Sequence, residues 1–324
     1  MTFTQIPDNL SSINLPLIYK FQSDTTLESI LIDIVCNSET ISQKRLYNTS
    51  EGEIDIAPIL RAHHNPSPKS LNTTLYAYSA TSLNVVVRAQ GVNSESRVFL
   101  NSLKRVDESR LRSTTPTERI ISRGEHDEIA LMKGVIRATL EIITPEGSTT
   151  KSLIGRSPQQ YLNLHLNTTE IEPEATELYI DFTLLGGATI ERLHYTFVKR
   201  PSNSLRVIWL SDLGSFERYT FPFVRSVTEH STTKPLDLYS AELIPQCPST
   251  EYQIELSSAY EARKMRMALS EISHRSVVWV ESSDGELIAA KVEPTSSELF
   301  DAERLRPIKI KLLLSPENYS KLWN

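Results

Sequence analysis

This sequence has few glycines, few cysteines and no concentrated positive charge, and these shortages narrow the class of protein. Glycine accounts for 10 of the 324 residues, and the one adjacent pair is Gly186-Gly187. Proteins that cradle phosphate groups in glycine-rich loops usually carry a glycine cluster, which is missing here. The net charge is −6 and no run of lysine and arginine exceeds two residues. The chain is therefore not basic enough to coat a nucleic acid.

The two cysteines form no local metal or redox motif. Cys36 and Cys247 lie far apart in the chain, so neither has a ligand-like neighbour. Cys36 ends an apolar segment with the character of a strand, and we expect a buried thiol there. Cys247 lies between Pro245 and Pro248, in a predicted loop. A disulfide between the two cysteines is the alternative.

Long hydrophobic runs are also missing. No segment approaches the ~20 apolar residues of a membrane span, and residues 1–10 lack the basic stretch and apolar core of a secretory signal. Hydrophobic residues make up 39% and charged residues 23% of the chain, which is typical of a folded globular protein. We expect a protein without a membrane span that is made and assembled in a cytoplasm.

The most informative segment that is present, residues 205–222, predicts a β-hairpin. Gly214 supplies the left-handed backbone conformation that a tight reversal needs. The residues that suit a pleated, half-buried surface are Val207, Trp209, Phe216, Tyr219 and Phe221. This pattern indicates a structural motif and not a catalytic one.

Short strand-like segments separated by turn signals recur along the rest of the chain, as in β-sandwiches. A length of 324 residues suggests two or three domains. We predict a mainly β protein with antiparallel β-sandwich domains followed by a small α+β domain. The predicted domains are a sandwich-like domain at 1–112, a central antiparallel domain at 113–235 and a β-α-β-β-β domain at 236–324. Whether residues 1–235 form one domain or two stays open.

Local signals place turns and a helix within these domains. Residues 48–53 form a predicted turn in which Gly52 is available for a positive φ. Residues 228–235 are polar and predict a domain boundary. Ser258 and Glu261 have the spacing of a capping box, which predicts a helix with Arg266 facing water.

Motifs for catalysis, cofactors and metals are missing, so we predict no catalytic, cofactor-binding or metal-binding residues. Rings of adjacent histidines diverge on an extended chain, which makes His63 and His64 surface residues in this interpretation. His165 and His194 lie on separate predicted strands. Ser157 follows Gly155 and Arg156 but lacks the second glycine of a nucleophile elbow.

Acidic and aromatic residues have ordinary structural explanations. The acidic pairs Asp127-Glu128 and Asp301/Glu303 are typical of solvated faces. Trp209 and Trp279 lie inside apolar strand segments, which favours core packing over sugar binding. We expect the aromatic residues of this chain to hold sheets together and not to bind a small molecule.

Three segments, at residues 53–61, 207–221 and 268–280, resemble uncharacterised bacteriophage and prophage tail structural proteins. In those proteins a similar aromatic hairpin precedes a C-terminal helix-strand unit. Asp212 departs mildly from the usual amide-serine turn of that hairpin. The resemblance implies a tail, tip or baseplate component, or part of a related injection machine, with no catalytic residues.

The expected function is therefore structural, without enzyme activity or a cofactor. Partners would be other tail or baseplate proteins and further copies of the chain, in a virion assembled in the host bacterial cytoplasm. The loops at residues 105–117 and 63–69 are the candidate contact arms. One alternative is a β-rich, adhesin-like module that binds carbohydrate or a receptor. Another is an enzyme on a β scaffold, which would need a cleft holding a titratable pair with mutually perturbed pKa values.

Overall fold

Strands dominate the computed structural model of this chain, which confirms the predicted mainly β class. The structure describes residues 1–69, 73–78, 81–104, 106, 111–132, 134–154, 162–232, 235–236, 244–245, 249–282, 284–293 and 305–323.

The N-terminal elements include two unusually long strands, β2 and β3. In chain order these elements are β1 (Thr2–Gln5), β2 (Ile18–Cys36), β3 (Glu39–Asp55), α1 (Ala57–His63), β4 (Leu75–Tyr78), β5 (Ser82–Ala89), β6 (Val92–Asn93) and β7 (Arg97–Leu100).

The central elements are strands of ordinary length and one 3₁₀ turn at Thr168–Glu170. The strands are β8 (Glu118–Ser122), β9 (His126–Ala130), β10 (Val135–Thr144), β11 (Gly147–Ile154), β12 (Leu162–Asn167), β13 (Glu177–Leu184) and β14 (Thr189–Val198).

The C-terminal elements combine strands with two helices and a 3₁₀ turn at Glu271–His274. They are β15 (Leu205–Leu210), β16 (Phe216–Phe221), β17 (Phe223–Thr232), β18 (Pro235–Leu236), β19 (Ile244–Pro245), β20 (Ser249–Ser257), α2 (Arg263–Ser270), β21 (Val277–Glu281), β22 (Leu287–Glu293), β23 (Lys309–Leu314) and α3 (Pro316–Trp323).

The N-terminal sheet has six strands: β1, β2, β3, β5, β6 and β7. Alternate residues of β2, such as Ile30, Ile32 and Ile34, are buried in an apolar core that Leu60 of α1 also joins. The chain reverses from β2 to β3 at Asn37 and Ser38, which have φ of 49° and 73°. This alternation is the period-2 pattern of a sheet with one buried face.

The turn predicted at residues 48–53 is wrong, because this segment lies inside β3. Gly52 allows close packing within the sheet and does not form a chain reversal. A Cβ at this position would lie 2.5 Å from the ring of Phe21 and 2.6 Å from Leu46. The missing side chain therefore lets an aromatic ring pack directly on the strand backbone.

The central region forms a β-sandwich of two sheets. One sheet has the order β11-β10-β13-β14-β8 and the other the order β4-β12-β9. Leu140 and Ile180 from the first sheet share one apolar core with Ile129 and Leu164 from the second. Facing sheets that interdigitate in this way are typical of sandwiches.

The aromatic hairpin formed by β15 and β16 belongs to the C-terminal sheet, whose order is β16-β15-β21-β22-β23-β20-β17. Val207 pairs with Val280 across β15 and β21. The strands of this sheet come from both sides of the predicted domain boundary at 235/236. The central sandwich likewise includes β4, which lies before the predicted domain boundary at 112/113. The three-domain division stays a prediction. The polar domain boundary predicted at 228–235 is wrong for residues 228–232, because β17 extends to Thr232 and pairs with β20.

The predicted hairpin turn is confirmed, and it contacts the N-terminal region. Gly214 has φ of 72°, and a Cβ on it would lie 2.9 Å from the carbonyl oxygen of Asn101. The backbone N–H groups of Leu103 and Lys104 both donate to the carbonyl oxygen of Asp212, at 2.8 Å and 3.1 Å. Glycine is thus required at this turn for its conformation and for the close approach of another chain segment.

The predicted capping box is wrong. Helix α2 begins at Arg263, and its N-cap, Ala262, makes no side-chain hydrogen bond. Ser258 Oγ instead accepts from the N–H of Ile308 at 2.8 Å, and Glu261 accepts from the hydroxyl of Tyr219 at 2.6 Å. Both side chains are used to join the preceding segment to neighbouring strands. Arg266 is also buried and does not face water.

Candidate functional site

A cluster of buried charged side chains lies where the central sandwich meets the C-terminal sheet. Its members come from β8, β9, β15, β16 and β21 and from the turn between β8 and β9, and none is more than 8% exposed. We call it the buried charge cluster: Arg119, Glu125, Asp127, Glu128, Arg206, Glu217, Arg218 and Glu281. Charged side chains are seldom fully buried without partners, so the contacts of each member decide how its charge is stabilised.

Arg119 and Asp127 form the first ion pair. Arg119 Nη1 lies 2.9 Å from Asp127 Oδ2, and Tyr195 donates its hydroxyl to the same oxygen at 2.6 Å. Burial by itself raises the pKa of Asp127, but Arg119, Arg206 and the Tyr195 hydrogen bond outweigh it and lower that pKa. Asp127 is therefore held as a carboxylate whose oxygens are already bound.

Arg206 forms the second pair and connects two sheets. Its Nη1 donates to Glu125 Oε2 at 2.9 Å and to Thr220 Oγ1 at 2.8 Å. Its Nη2 donates to the carbonyl oxygen of His126 at 2.6 Å, while Nε lies 3.6 Å from Glu281 Oε2. The guanidinium of β15 thus binds the segment before β9 with the fixed geometry of a planar fork.

Glu217 collects hydrogen bonds from the segment before β8. Thr115 Oγ1 donates to it at 2.6 Å, Ser113 Oγ at 3.1 Å and the N–H of Thr114 at 3.1 Å. In the candidate contact arm at 105–117, residues 105 and 107–110 lie outside the described residues. Its described second half is not a free surface arm, because Arg112 is 1% and Thr115 8% exposed.

Arg218 is a member of the cluster whose hydrogen-bond donors are only partly used. Its Nη2 donates to the carbonyl oxygen of Lys69 at 2.7 Å and lies 3.8 Å from Glu128 Oε2. Its Nε and Nη1 have no hydrogen-bond partner among the described residues. Burial lowers the pKa of Arg218, which Glu128 partly offsets. A guanidinium left with unused donors away from water is costly.

Glu128 and its neighbours have strongly perturbed pKa values. Burial raises the pKa of Glu128 to about 7, although Arg218 and a hydrogen bond from Asn163 oppose the shift. Burial lowers the pKa of His165 to about 4, and the charge of Arg218 adds to the effect. At neutral pH His165 is therefore uncharged, whereas Glu128 is close to its midpoint.

A cavity of about 570 Å³ opens beside the cluster, between β8, β14, β16 and the start of α2. Its lining includes Arg119, Asp127 and Arg218 from the cluster, together with the rings of Tyr195 and Tyr219. Trp209 and Phe221 are buried in the core of the C-terminal sheet, as predicted, but these two tyrosines also line a cavity beside ionisable groups. Their hydroxyls are bound, to Asp127 and Glu261.

The predicted solvation of the Asp127-Glu128 pair is wrong, since each residue is only 4% exposed. Their pKa values shift in opposite directions, as an acid–base pair requires. Asp127 lines the cavity, but its carboxylate is bound by Arg119 and Tyr195, and Glu128 is not part of the lining. The second acidic pair, Asp301/Glu303, lies outside the described residues.

The histidines named from the sequence are not brought together. His63 is exposed, but His64 is half-buried, and burial lowers its pKa to about 4. His165 is buried on β12, whereas His194 stacks on Tyr179 with 4.4 Å between ring centroids. No group of three or more metal-ligating side chains is placed to hold an ion within the described part of the chain.

Other predicted residues fall in the core or outside the described ranges. Trp209 is completely buried, as predicted, while Trp279 is half-buried with its ring edge-on to Phe216 at 5.5 Å. Cys36 is a buried free thiol, as predicted, and burial raises its pKa to about 11. Cys247 and Ser157 lie outside the described residues. None of the helices in the described ranges has the length and apolarity needed to cross a bilayer.

The central members of the cluster were missed by sequence reasoning, although the hairpin carries a signal. Arg206 sits between Leu205 and Val207, and Glu217 and Arg218 are adjacent within a strand that begins and ends with phenylalanine. Adjacent residues of a strand point to opposite faces. Charges at neighbouring positions of such a strand therefore indicate that one charge, or both, must find buried partners.

Comparisons with known proteins give no family for this chain. No family model and no curated protein matches it. A solved Bacteroides ovatus mixed-linkage glucan utilization protein, SGBP-B, in complex with a heptasaccharide, is 12% identical, with a TM-score of 0.16. The match covers 79% of this chain and spans 64% of that protein. A bacterial ice-binding adhesin is 8% identical with a TM-score of 0.14, covering 76% of this chain and 86% of the adhesin. At these TM-scores neither similarity carries an argument about fold or function.

Proposed function

We propose that this chain is a non-enzymatic structural component of a phage tail or related injection-type assembly that acts through protein–protein contacts. The tail assignment rests on the resemblance of residues 53–61, 207–221 and 268–280 to tail structural proteins. The single observation that carries the contact-making role is the open edge of β3. Localisation in a virion and partnership with other tail proteins are part of the same proposal.

The edge of β3 is long. The strand has 17 residues and pairs with β2 alone among the strands that the structure describes. Strands usually have about 5–6 residues, so an edge of about 55 Å, at ~3.3 Å per residue, is exceptional. Unpaired N–H and C=O groups along such an edge can accept a strand from another subunit.

The side chains of β3 favour a second copy of the chain as the partner. Lys44 and Arg45 are exposed in its first half, and Glu51 and Glu53 in its second half. In an antiparallel contact between two β3 strands, the basic half of each would face the acidic half of the other. Tyr47, near the centre, is 67% exposed and would be covered by the contact.

Mass measurement by sedimentation velocity over a range of concentrations tests this proposal. We expect a dimer or larger species whose population rises with concentration. Tyr47→Lys should weaken this association at least tenfold, because it brings two lysines together near the centre of the contact. Tyr260→Lys is the matched control, since Tyr260 is 71% exposed and lies outside β3. A strictly monomeric protein at high concentration would remove the support for the contact-making role.

The buried charge cluster is compatible with a structural role. The cluster carboxylate that lines the cavity, Asp127, is bound by the Arg119 guanidinium and the Tyr195 hydroxyl and is not a free general base. The loop at 63–69 stays a candidate contact arm over its exposed part. The adhesin-like alternative stays a prediction, because the exposed rings of Tyr47, Tyr260 and Trp323 lie on separate elements.

A further inference from the structure

The strand β8 has one open edge beside the cavity. It pairs in parallel with β14 and with no second strand among those that the structure describes. Residues 118–121 of β8 line the cavity, and residues 261–265 at the start of α2 line it as well. The space next to this edge is therefore a groove between a strand and the start of a helix, which can receive a further strand.

Backbone groups at this edge are left to pair with an incoming segment. The N–H of His194 in β14 donates to the carbonyl oxygen of Thr117 at 2.9 Å. Because only alternate residues of a strand bond to one parallel neighbour, the N–H and C=O groups of Glu118 and Ile120 point away from β14. Ser122 ends this open stretch, since its N–H donates to Glu125 at 2.8 Å. The backbone of Glu118 and Ile120 thus offers donors and acceptors to an extended chain.

Apolar side chains lie on both faces of the open edge. Ile120 is 66% exposed on the outer face, and a strand added to β8 would cover it. On the inner face Ile121 lines the cavity together with Met265 and the ring of Tyr219. The cavity volume of about 570 Å³ lies within the ~300–1,000 Å³ that small-molecule sites span, so an apolar side chain fits there. The edge therefore suits a segment that carries apolar residues.

Basic side chains next to the edge favour a segment that is also acidic. Arg263 and Lys264 are exposed, line the cavity and form no ion pair with a described residue. The acidic side chains of the lining are already engaged: Glu118 with His194, Asp127 with Arg119 and Glu261 with Tyr219. The charges left for a partner are therefore positive, and they complement carboxylates.

We propose that β8 is a docking edge for an extended, acidic segment of a partner protein. The segment adds a strand beside β8, places an apolar side chain in the cavity and sets a carboxylate against Arg263 and Lys264. In this mode of recognition, main-chain hydrogen bonds give affinity and alternate side chains give specificity. The inference depends neither on the β3 contact nor on the tail assignment, because β8 belongs to a different sheet.

Fluorescence anisotropy with labelled peptides and the full chain tests the docking edge. The probe is a pool of short peptides with Glu at both ends and Thr, Val and Ile between them, and the control pool has Lys at both ends. We expect the acidic pool to bind about tenfold more tightly than the basic pool. Acidic peptides with N-methylated backbones should not bind, because they cannot donate to β8. Equal binding of the two pools, or no binding by either at millimolar concentration, would refute the proposal.

Variants of Ile120 show whether the backbone edge is used. Ile120→Pro removes the N–H that points away from β14 and leaves the ladder between β8 and β14 intact. It should weaken binding of the acidic pool by about tenfold. Ile120→Thr is the matched control, because it keeps both the N–H and the β-branched shape and should retain most of the affinity.

A second set of variants tests the charge of the groove even if Ile120→Pro does not fold. Arg263→Gln/Lys264→Gln changes exposed residues and should reduce the preference for the acidic over the basic pool several-fold. Lys291→Gln, 71% exposed at its side chain on β22, is the control and should keep that preference. Unchanged preference in the double variant, with native binding present, would place the peptide elsewhere and overturn the proposal.

Discussion

The core of the N-terminal sheet and the junction around the buried charge cluster are both buried, but different forces hold them together. In the N-terminal sheet the buried side chains of β2 and β5 are uncharged and mostly aliphatic, as at Ile32 and Val85, both 0% exposed. At the junction the equally buried positions are Arg206, at 2%, and Glu125, at 1%. Packing of apolar side chains holds the N-terminal sheet together, whereas ion pairs connect the sheets at the junction.

The two kinds of interaction contribute differently to the stability of the fold and to the relative orientation of its sheets. Burial of aliphatic groups is non-directional and scales with the area removed from water. A buried ion pair gains little net free energy after desolvation, but breaking it leaves an uncompensated charge. We therefore expect the aliphatic core to tolerate small changes of shape, and the junction to fix how the C-terminal sheet meets the sandwich.

The largest effect is expected from Arg206→Met. Methionine fills a similar volume but removes the cationic partner of Glu281 and leaves Glu125 with only the more distant Arg200, at 3.9 Å. The free energy of unfolding should fall by about 3–5 kcal/mol, as measured by urea denaturation. Lys20→Met is the control, because its ion pair with Glu53 is half exposed and should contribute at most about 1 kcal/mol. An equal loss of unfolding free energy in the two variants would show that the ion pairs of the junction do not differ from an ordinary surface ion pair.

A smaller, pH-dependent effect is expected from Glu271→Gln. Burial is the main cause that raises the pKa of Glu271 from 4.5 to about 7, while hydrogen bonds from the Asp212 N–H and Thr114 oppose it. A raised carboxyl pKa means that the folded state binds the proton more tightly. Its cost to stability is absent below pH 4.5, grows between pH 4.5 and 7 and is complete above pH 7.

Glutamine keeps the acceptor for Thr114 and Asp212 but cannot ionise. Relative to the native chain, Glu271→Gln should therefore gain about 2–3 kcal/mol of stability between pH 4.5 and pH 8. Denaturation curves for both proteins across this range give the difference directly. A difference that does not change with pH would show that the junction does not strain this carboxyl group.

The smallest effect is expected in the aliphatic core. Ile34→Val removes one methylene from a fully buried position and should cost about 1 kcal/mol. The loss should be the same from pH 4.5 to pH 8, because the ionisable groups buried in this core, Tyr19 and Cys36, have pKa values that burial raises further above this range. Ile41→Val, at a half-buried position, should cost less. A pH-dependent loss at Ile34 would mean that the two regions are not separate.

Much of the fold can be read from local sequence. The mainly β class and the hairpin with Gly214 at its turn were predicted because alternation and turn chemistry are properties of neighbouring residues. Local reasoning failed where a distant segment supplied the partner. Gly52 was taken for a turn residue because nothing near it in sequence reveals the ring of Phe21.

The buried charge cluster was even harder to predict from local sequence. Arg206 and Glu125 are 81 residues apart, and Thr114 and Glu217 are 103 residues apart. No periodicity links residues at such separations. The sequence could indicate that charges within the hairpin were unusual, but it could not show which carboxylates they meet.

The amino-acid order alone determined a mainly β chain, an aromatic hairpin and a buried thiol at Cys36, because backbone and hydrophobic preferences act between near neighbours. Only the tertiary structure decided that both faces of the hairpin are covered, so that Arg206, Glu217 and Arg218 are enclosed. The reason is physical: whether a charged side chain meets water or another ion depends on which sheet packs against its strand. That choice is made by contacts far apart in the sequence.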